Sequence, residues 1–143
     1  MLAMELGLWH DLVRLGGVAD RDRVDFVADR VEGALASVRH AHIAASIDRD
    51  GTALDAVAER FEQLGAHLLS AGASAHAAAA HQRRGAERNA TASRRLATGA
   101  GGPMPGARTP ALDDLGAGAA LTGREREIAA LAGCRPRQPG HRR

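Results

Sequence analysis

The chain has 143 residues, enough for one domain or a small domain with an appendage, and a formal net charge of +2 at neutral pH. Hydrophobic residues make up 45% of it, but Ala supplies much of this and aromatic residues only 2%, so we expect a thin core anchored by Trp9, Phe26 and Phe61. No stretch approaches the roughly 20 apolar residues of a membrane span, no signal-peptide pattern is present and Cys134 is the single cysteine, which excludes a membrane-spanning or disulfide-rich class and favours a cytoplasmic protein.

Nearly everything before residue 98 is predicted to be helical. Ala, Leu, Arg and Glu are strong helix formers, and the alternation of β-branched and aromatic residues that strands show is missing. We expect the first two helices from about Leu2 to Leu15 and from about Arg21 to Arg30, with Gly16-Gly17 between them.

The next two helices carry the clearest apolar pattern. One is marked by Val31, Leu35, Val38, Ile43 and Ile47 and ends at residues 48–51. Thr52 is expected to cap the next, whose apolar residues recur at steps of three and four and so share one stripe: Leu54, Val57, Phe61, Leu64 and Leu68. These two helices should pair as an antiparallel hairpin across a short turn.

A further helix is expected from about Ala71 to Arg84, and it continues past Gly85 to Leu96 in one interpretation. Its small residues Ala73, Ala77 and Ala80 are predicted to form the contact row between stacked helices; the alternative is a solvent-tolerant helix held by propensity alone. The predicted fold class is all-α, with residues 1–97 forming tetratricopeptide-like antiparallel helical hairpins, although a strict period of about 34 residues is not evident.

Residues 98–120 break this pattern and are predicted to be a flexible linker. Glycines and prolines are dense there, at Gly99, Gly101, Gly102, Pro103, Pro105, Gly106, Pro110, Gly116 and Gly118. Only the stretch from Thr109 to Leu115 favours a turn of helix, with Thr109 as its cap and Pro110 at the first helical position.

Residues 121–133 again predict a helix. Thr122, followed three positions later by Glu125, is a capping box, in which each side chain satisfies a backbone N–H left unpaired by the first turn. The apolar side of this helix is formed by Ile128, Leu131 and Ala132, and its polar side leaves Arg124, Arg126 and Glu127 for water or phosphate.

This segment resembles the first helix of the LuxR-type helix-turn-helix, in which a Leu-Thr pair, a Glu and an Arg-Glu pair precede an aliphatic run. The resemblance extends, over roughly residues 5 to 133, to the C-terminal end of the large ATP-binding LuxR-type regulators, through the Asp50-Gly51 turn, the run from Ala58 to Gly65, the Ala-rich helix with His81, Arg83, Arg84 and Gly85, and the segment Arg108-Thr109-Pro110. It implies a transcriptional regulator with DNA as its partner and Thr122, Arg124 and Arg126 as the DNA-binding residues.

Two features depart from the family pattern. The phosphate-binding loop of a nucleotidase is missing, since the chain has no Gly-x-x-x-x-Gly-Lys-Ser/Thr motif and no Lys at all, so we expect no ATP hydrolysis and no cofactor. Residues 134–143 contain Pro136 and Pro139 in an Arg-rich run, which cannot propagate a helix, so we expect a disordered tail and no recognition helix. A reading-frame shift that truncated the module is one explanation, and translation of the neighbouring frame past residue 133 tests it.

Other site hypotheses are weaker. The nearest histidine pairs in sequence, His40 with His42 and His76 with His81, lack the four-residue spacing of a zinc-binding pair on a helix, so we expect no metal and place the histidines on solvated or partly buried helix faces. No Gly-x-Ser-x-Gly elbow is present, and we expect no enzyme. The basic cluster of Arg83, Arg84, Arg88, Arg94 and Arg95 is either a solvated face or a weak phosphate-binding patch.

A second class of function stays open. The helical part is in that case a protein-interaction module, which pairs with a partner through its helical surface and does not contact DNA, or a non-functional remnant.

Overall fold

The structure, a computed structural model, describes residues 1–99, 110–112 and 114. The predicted helix at 121–133, most of the linker and the tail lie outside these residues. Pro110–Leu112 is helical, as expected for the stretch that begins after Thr109.

The described residues form an all-α protein without a strand, which confirms the predicted fold class. The helices are α1 (Leu2–Arg14), α2 (Arg21–Ala28), α3 (Ala34–Asp48), α4 (Gly51–Gln63), α5 (His67–Arg83) and α6 (Glu87–Gly99). Helix α1 packs on α2 and α3, and each later helix from α3 to α6 folds back on the one before it.

Helix α5 lies at the centre of this arrangement, because both α4 and α6 pack against it extensively. Its predicted contact row is confirmed: Ala73, Ala77 and Ala80 are almost completely buried. Ala73 packs in the cluster that contains Val38, and Ala77 and Ala80 pack in the cluster that contains Leu54. Small side chains let the helices approach closely, and this close approach replaces the large apolar residues that the chain lacks.

Several predicted element boundaries were wrong. Helix α4 ends at Gln63, so Leu64 is 43% exposed and Leu68 belongs to α5. Helix α5 begins four residues earlier than expected, at His67, and it does not continue into α6, because Gly85 adopts a left-handed conformation with φ of +73°.

The cap of α4 was also assigned to the wrong residue. The carboxylate of Asp50, not the hydroxyl of Thr52, accepts a hydrogen bond from the backbone N–H of Ala53, at 3.1 Å. Asp is as good an N-cap as Thr, and its position before Gly51 starts the helix earlier.

Of the three aromatic residues, Phe61 is completely buried and Trp9 is half-buried, but Phe26 is 44% exposed and is not a core anchor. The guanidinium groups of Arg23 and Arg30 both lie over its ring, with their central carbons 5.3 and 3.7 Å from the ring centroid. Phe26 therefore makes cation–π contacts at the surface.

Four helices end in the same backbone motif, in which two N–H groups just past the helix bond back to carbonyls of the last turn. The motif needs one residue in the left-handed region. For α1, α4 and α5 that residue is a glycine, and for α3 it is Arg49, with φ of +52° and ψ of +40°. Arg49 is the one non-glycine residue with positive φ in the described part of the chain.

Candidate functional site

The residues predicted to bind DNA, Thr122, Arg124 and Arg126, lie outside the described residues. What the described helices bring together instead is a chain of histidines, with a cleft at one end of it.

The histidine chain joins three helices. His10 of α1, His42 of α3 and His76 of α5 lie in a row, with His10 Nε2 2.9 Å from His42 Nδ1 and His42 Nε2 3.0 Å from His76 Nδ1. His10 and His42 are completely buried, and both rings contact the ring of Phe61. The expectation that the histidines occupy solvated or partly buried faces was therefore wrong for these two, and it was also wrong for His81, which is buried as well.

The tautomers follow from hydrogen-bond satisfaction. The Nδ1 atom of His10 is buried and has no hydrogen-bond partner. A buried N–H donor without an acceptor is costly, so Nδ1 of His10 is best left unprotonated, and its Nε2–H then donates to His42. His42 in turn donates from its Nε2–H to Nδ1 of His76, which leaves Nε2–H of His76 as the terminal donor of the chain.

Burial and the neighbouring positive charges keep the three imidazoles of the histidine chain neutral. Burial lowers the pKa of His10 to about 3, the positive charges of Arg14 and Arg39 act in the same direction, and Asp11 opposes them. Burial also holds the pKa of His42 well below its usual value.

For His76, burial is the main cause of a lowered pKa, followed by the positive charges of Arg14 and Arg83. The whole chain is thus a neutral, directional hydrogen-bonded array at neutral pH.

The sequence contains a signal for this chain that pairwise spacing misses. Leu6, His10 and Val13 occupy buried positions at steps of four and three, and Val38, His42 and Ala45 repeat the same spacing. Each histidine replaces an apolar residue on a buried stripe. The histidines that meet are 32 and 34 residues apart, so no search for local pairs could find them.

A second polar cluster ties α4, α5 and α6 together. Asp55 accepts hydrogen bonds from His81 Nε2 at 2.8 Å and from the Ser93 hydroxyl at 2.7 Å. His81 and Ser93 are both buried. The carboxylate lies between the serine and the histidine, so the serine bonds to the carboxylate and not to an imidazole base, unlike the order of a nucleophilic triad. This cluster positions three helices.

A cleft of about 340 Å³ opens where the chain of histidines ends. It lies between the end of α1 with its following turn, the end of α3, and α5, and His76 is part of its wall. Arg49 and Arg83 also line it, and no carboxylate does. An adjoining cleft of about 290 Å³ shares His76 and Arg83. The range for small-molecule sites is roughly 300–1,000 Å³, so the first volume lies at its lower end and the second just below it.

Two further findings concern the described residues only. No group of three or more His, Cys, Asp or Glu side chains there is arranged to hold a metal ion. Among the described helices, none combines the length and the apolar character that crossing a membrane requires.

Comparison with known proteins finds no match for this chain: no protein-family model matches it, and neither does any curated protein or any solved structure.

Proposed function

We propose that the chain is part of a transcription regulator of the LuxR type, in which the array of helical hairpins is the interaction module and residues 121–133 contribute to DNA binding. The observation that carries the proposal is the segment after Leu121, where the capping box of Thr122 and Glu125 precedes alternating arginine and glutamate and then an aliphatic run.

The arrangement of the chain supports this division of roles. An all-α array precedes a segment dense in glycine and proline, and the stretch that contains Arg124 and Arg126, predicted from the sequence to begin a helix, follows that segment. Arginine side chains at a helix N-terminus are suited to phosphate, because the backbone N–H groups there also face an anion. Sequence-specific reading needs base contacts, which phosphate-binding arginines do not supply, so the expected binding is weak and unspecific.

A DNA-binding measurement across a salt series tests the proposal. We expect the affinity for a random-sequence duplex to fall steeply with salt, and the slope of log K against log salt to decrease by about one for each of Arg124→Ala and Arg126→Ala. Arg60→Ala, on α4, is the matched control and should leave the slope unchanged. No binding at low salt, or equal slopes in all variants, contradicts the proposal.

One observation favours the second candidate, a protein-interaction module without DNA contact. Large apolar side chains recur along α1 and at the residue that caps its C-terminus, and they stay exposed, namely Met4, Leu8, Leu12 and Leu15. This spacing is that of a helix that pairs with another helix. Binding to a partner that is weakened by Leu8→Asp, together with indifference to DNA, would favour this candidate.

A further inference from the structure

We propose that the cleft at the end of the histidine chain binds a small organic anion, a carboxylate carried on a short aliphatic chain. This inference goes beyond the proposed function and does not depend on DNA binding. It uses the cleft of about 340 Å³ between α1, α3 and α5.

The charge of the cleft selects an anion. Arg49 and Arg83 line it, and neither has a hydrogen-bonded or ion-paired carboxylate in the described part of the chain, whereas Arg14, Arg21 and Arg23 each do. Two unpaired guanidinium groups beside a wall without carboxylates attract a negative charge, and a guanidinium binds a carboxylate through two parallel hydrogen bonds.

One neutral donor lies in the wall of the same cleft. The ring of His76 has its Nδ1 occupied by His42, so Nε2 is the nitrogen left for a ligand, and the tautomers derived above make it an N–H donor. A bound carboxylate would accept a hydrogen bond from this N–H.

The rest of the wall is apolar and selects an aliphatic chain. Val13, Val18 and Leu54 line the cleft, together with alanines of α5. Val18 is 89% exposed, although it lies beside this concave surface. Apolar walls with a few convergent polar groups are typical of sites for small organic molecules.

Arg49 gives the strongest indication that the cleft is a binding site. It occupies the left-handed position that glycine fills at the ends of α1, α4 and α5. A left-handed backbone is strained for an arginine, whereas the three helices that end in glycine form the same motif without this strain. A residue that departs from a pattern that its own chain otherwise follows indicates a functional role, and here the exception is an arginine that lines the cleft.

Isothermal titration calorimetry with sodium octanoate on the full chain tests the proposal. We expect saturable one-to-one binding of octanoate. Octanol, which has the same chain without the charge, and inorganic phosphate, which has charge without a chain, should each bind at least tenfold more weakly. If octanol binds as tightly as octanoate, the arginines do not contribute to binding and the proposal is wrong. If phosphate binds as tightly as octanoate, the apolar wall does not contribute and the proposal is wrong as well.

Variants locate the site. Arg49→Gly should weaken octanoate binding at least tenfold while the protein folds at least as well as before, since glycine suits that backbone conformation. Arg83→Ala should weaken it similarly, whereas Arg84→Ala, an exposed neighbour outside the cleft, should not. No octanoate binding by the unaltered chain overturns the proposal, and so does an affinity in Arg49→Gly and Arg83→Ala that equals that of the unaltered chain.

Discussion

At the scale of a single residue, Gly51 of α4 lies tightly against His81 of α5. A Cβ atom built there would lie 2.7 Å from the imidazole ring of His81, which Asp55 holds in place by a hydrogen bond. We therefore expect Gly51→Ala to lower the free energy of unfolding by about 1–3 kcal/mol, although Ala is the better helix former.

Gly72→Ala is the matched control, because Gly72 lies within α5 and a Cβ atom there meets nothing within 4 Å. This change should raise the free energy of unfolding by about 0.5–1 kcal/mol. Urea denaturation of the two variants checks the pair, and equal effects of the same sign would show that the contact with His81 is not tight.

The second prediction at the scale of a single residue concerns Arg49. Its left-handed backbone is unfavourable for a side chain with a Cβ atom, so Arg49→Gly should raise the free energy of unfolding by up to about 1 kcal/mol, although glycine also gains freedom in the unfolded chain. Thermal unfolding in the absence of ligand measures it. A clear loss of stability would mean that the arginine side chain stabilises the fold, and it would remove the argument that strain there serves binding.

The cluster of Asp55, His81 and Ser93 sets the prediction at the scale of elements. Ser93→Ala should lower the free energy of unfolding by about 1 kcal/mol. Asp55→Ala should lower it by about 2–3 kcal/mol, because it leaves the buried imidazole N–H without an acceptor and removes the shorter of the two hydrogen bonds of the serine hydroxyl. The two effects should not add in the double variant, since both act through one carboxylate.

Denaturant unfolding of this double-mutant cycle measures the coupling, with Thr91→Ala on the exposed face of α6 as control. Additive losses would mean that Ser93 stabilises α6 through its second contact, the carbonyl oxygen of Asn89, and not through Asp55.

At this scale the sequence predicts helices better than their ends. Leu54, Val57 and Phe61 locate the buried face of α4 and the alanine row locates the face of α5, because side-chain periodicity is a local property. For α3 the predicted pattern was partly wrong, since Val31 lies before the helix and Leu35 and Ile47 are exposed. The sequence around Gly85 is compatible with a helix that continues and with a helix that ends, since a glycine occurs in both. In the structure the helix ends, and the N–H of Ala86 bonds to the carbonyl oxygen of His81 and closes the turn.

The candidate site depends on the whole molecule, and little of it is visible in the sequence. Periodicity could have placed His10 and His42 on buried stripes, but the contact of His42 with His76 needs α3 and α5 to be neighbours in space. The cleft depends on residues of four separate helices and a turn, so no local pattern in the sequence marks Arg49 and Arg83 as part of it.

The histidine chain predicts how the stability of the whole protein depends on pH. The pKa of His10 in the folded protein, about 3, lies below its ordinary value of 6.5, so the unfolded chain binds more protons than the folded one as the pH falls through this interval. The stability present at neutral pH is therefore lost progressively below pH 6.5. For His10 alone the loss at pH 5 is about 2 kcal/mol, and His42 and His76, whose pKa values are also lowered, add to it.

Urea unfolding at several pH values between neutral and about pH 5 checks this dependence. His10→Gln keeps a donor for His42 but cannot titrate, so its stability should fall less steeply with decreasing pH. His67→Gln, at an exposed histidine, should keep the full slope. A flat profile in the unaltered chain would contradict the account.

The nitrogen NMR spectrum of the imidazole rings tests the central claim, a buried neutral chain of three histidines, most directly. We expect His10 and His42 to be neutral, protonated at Nε2, and unchanged down to about pH 5, with octanoate shifting the Nε2 signal of His76. Titration of either His10 or His42 near its ordinary pKa of 6.5, or the opposite tautomer at both, would contradict it.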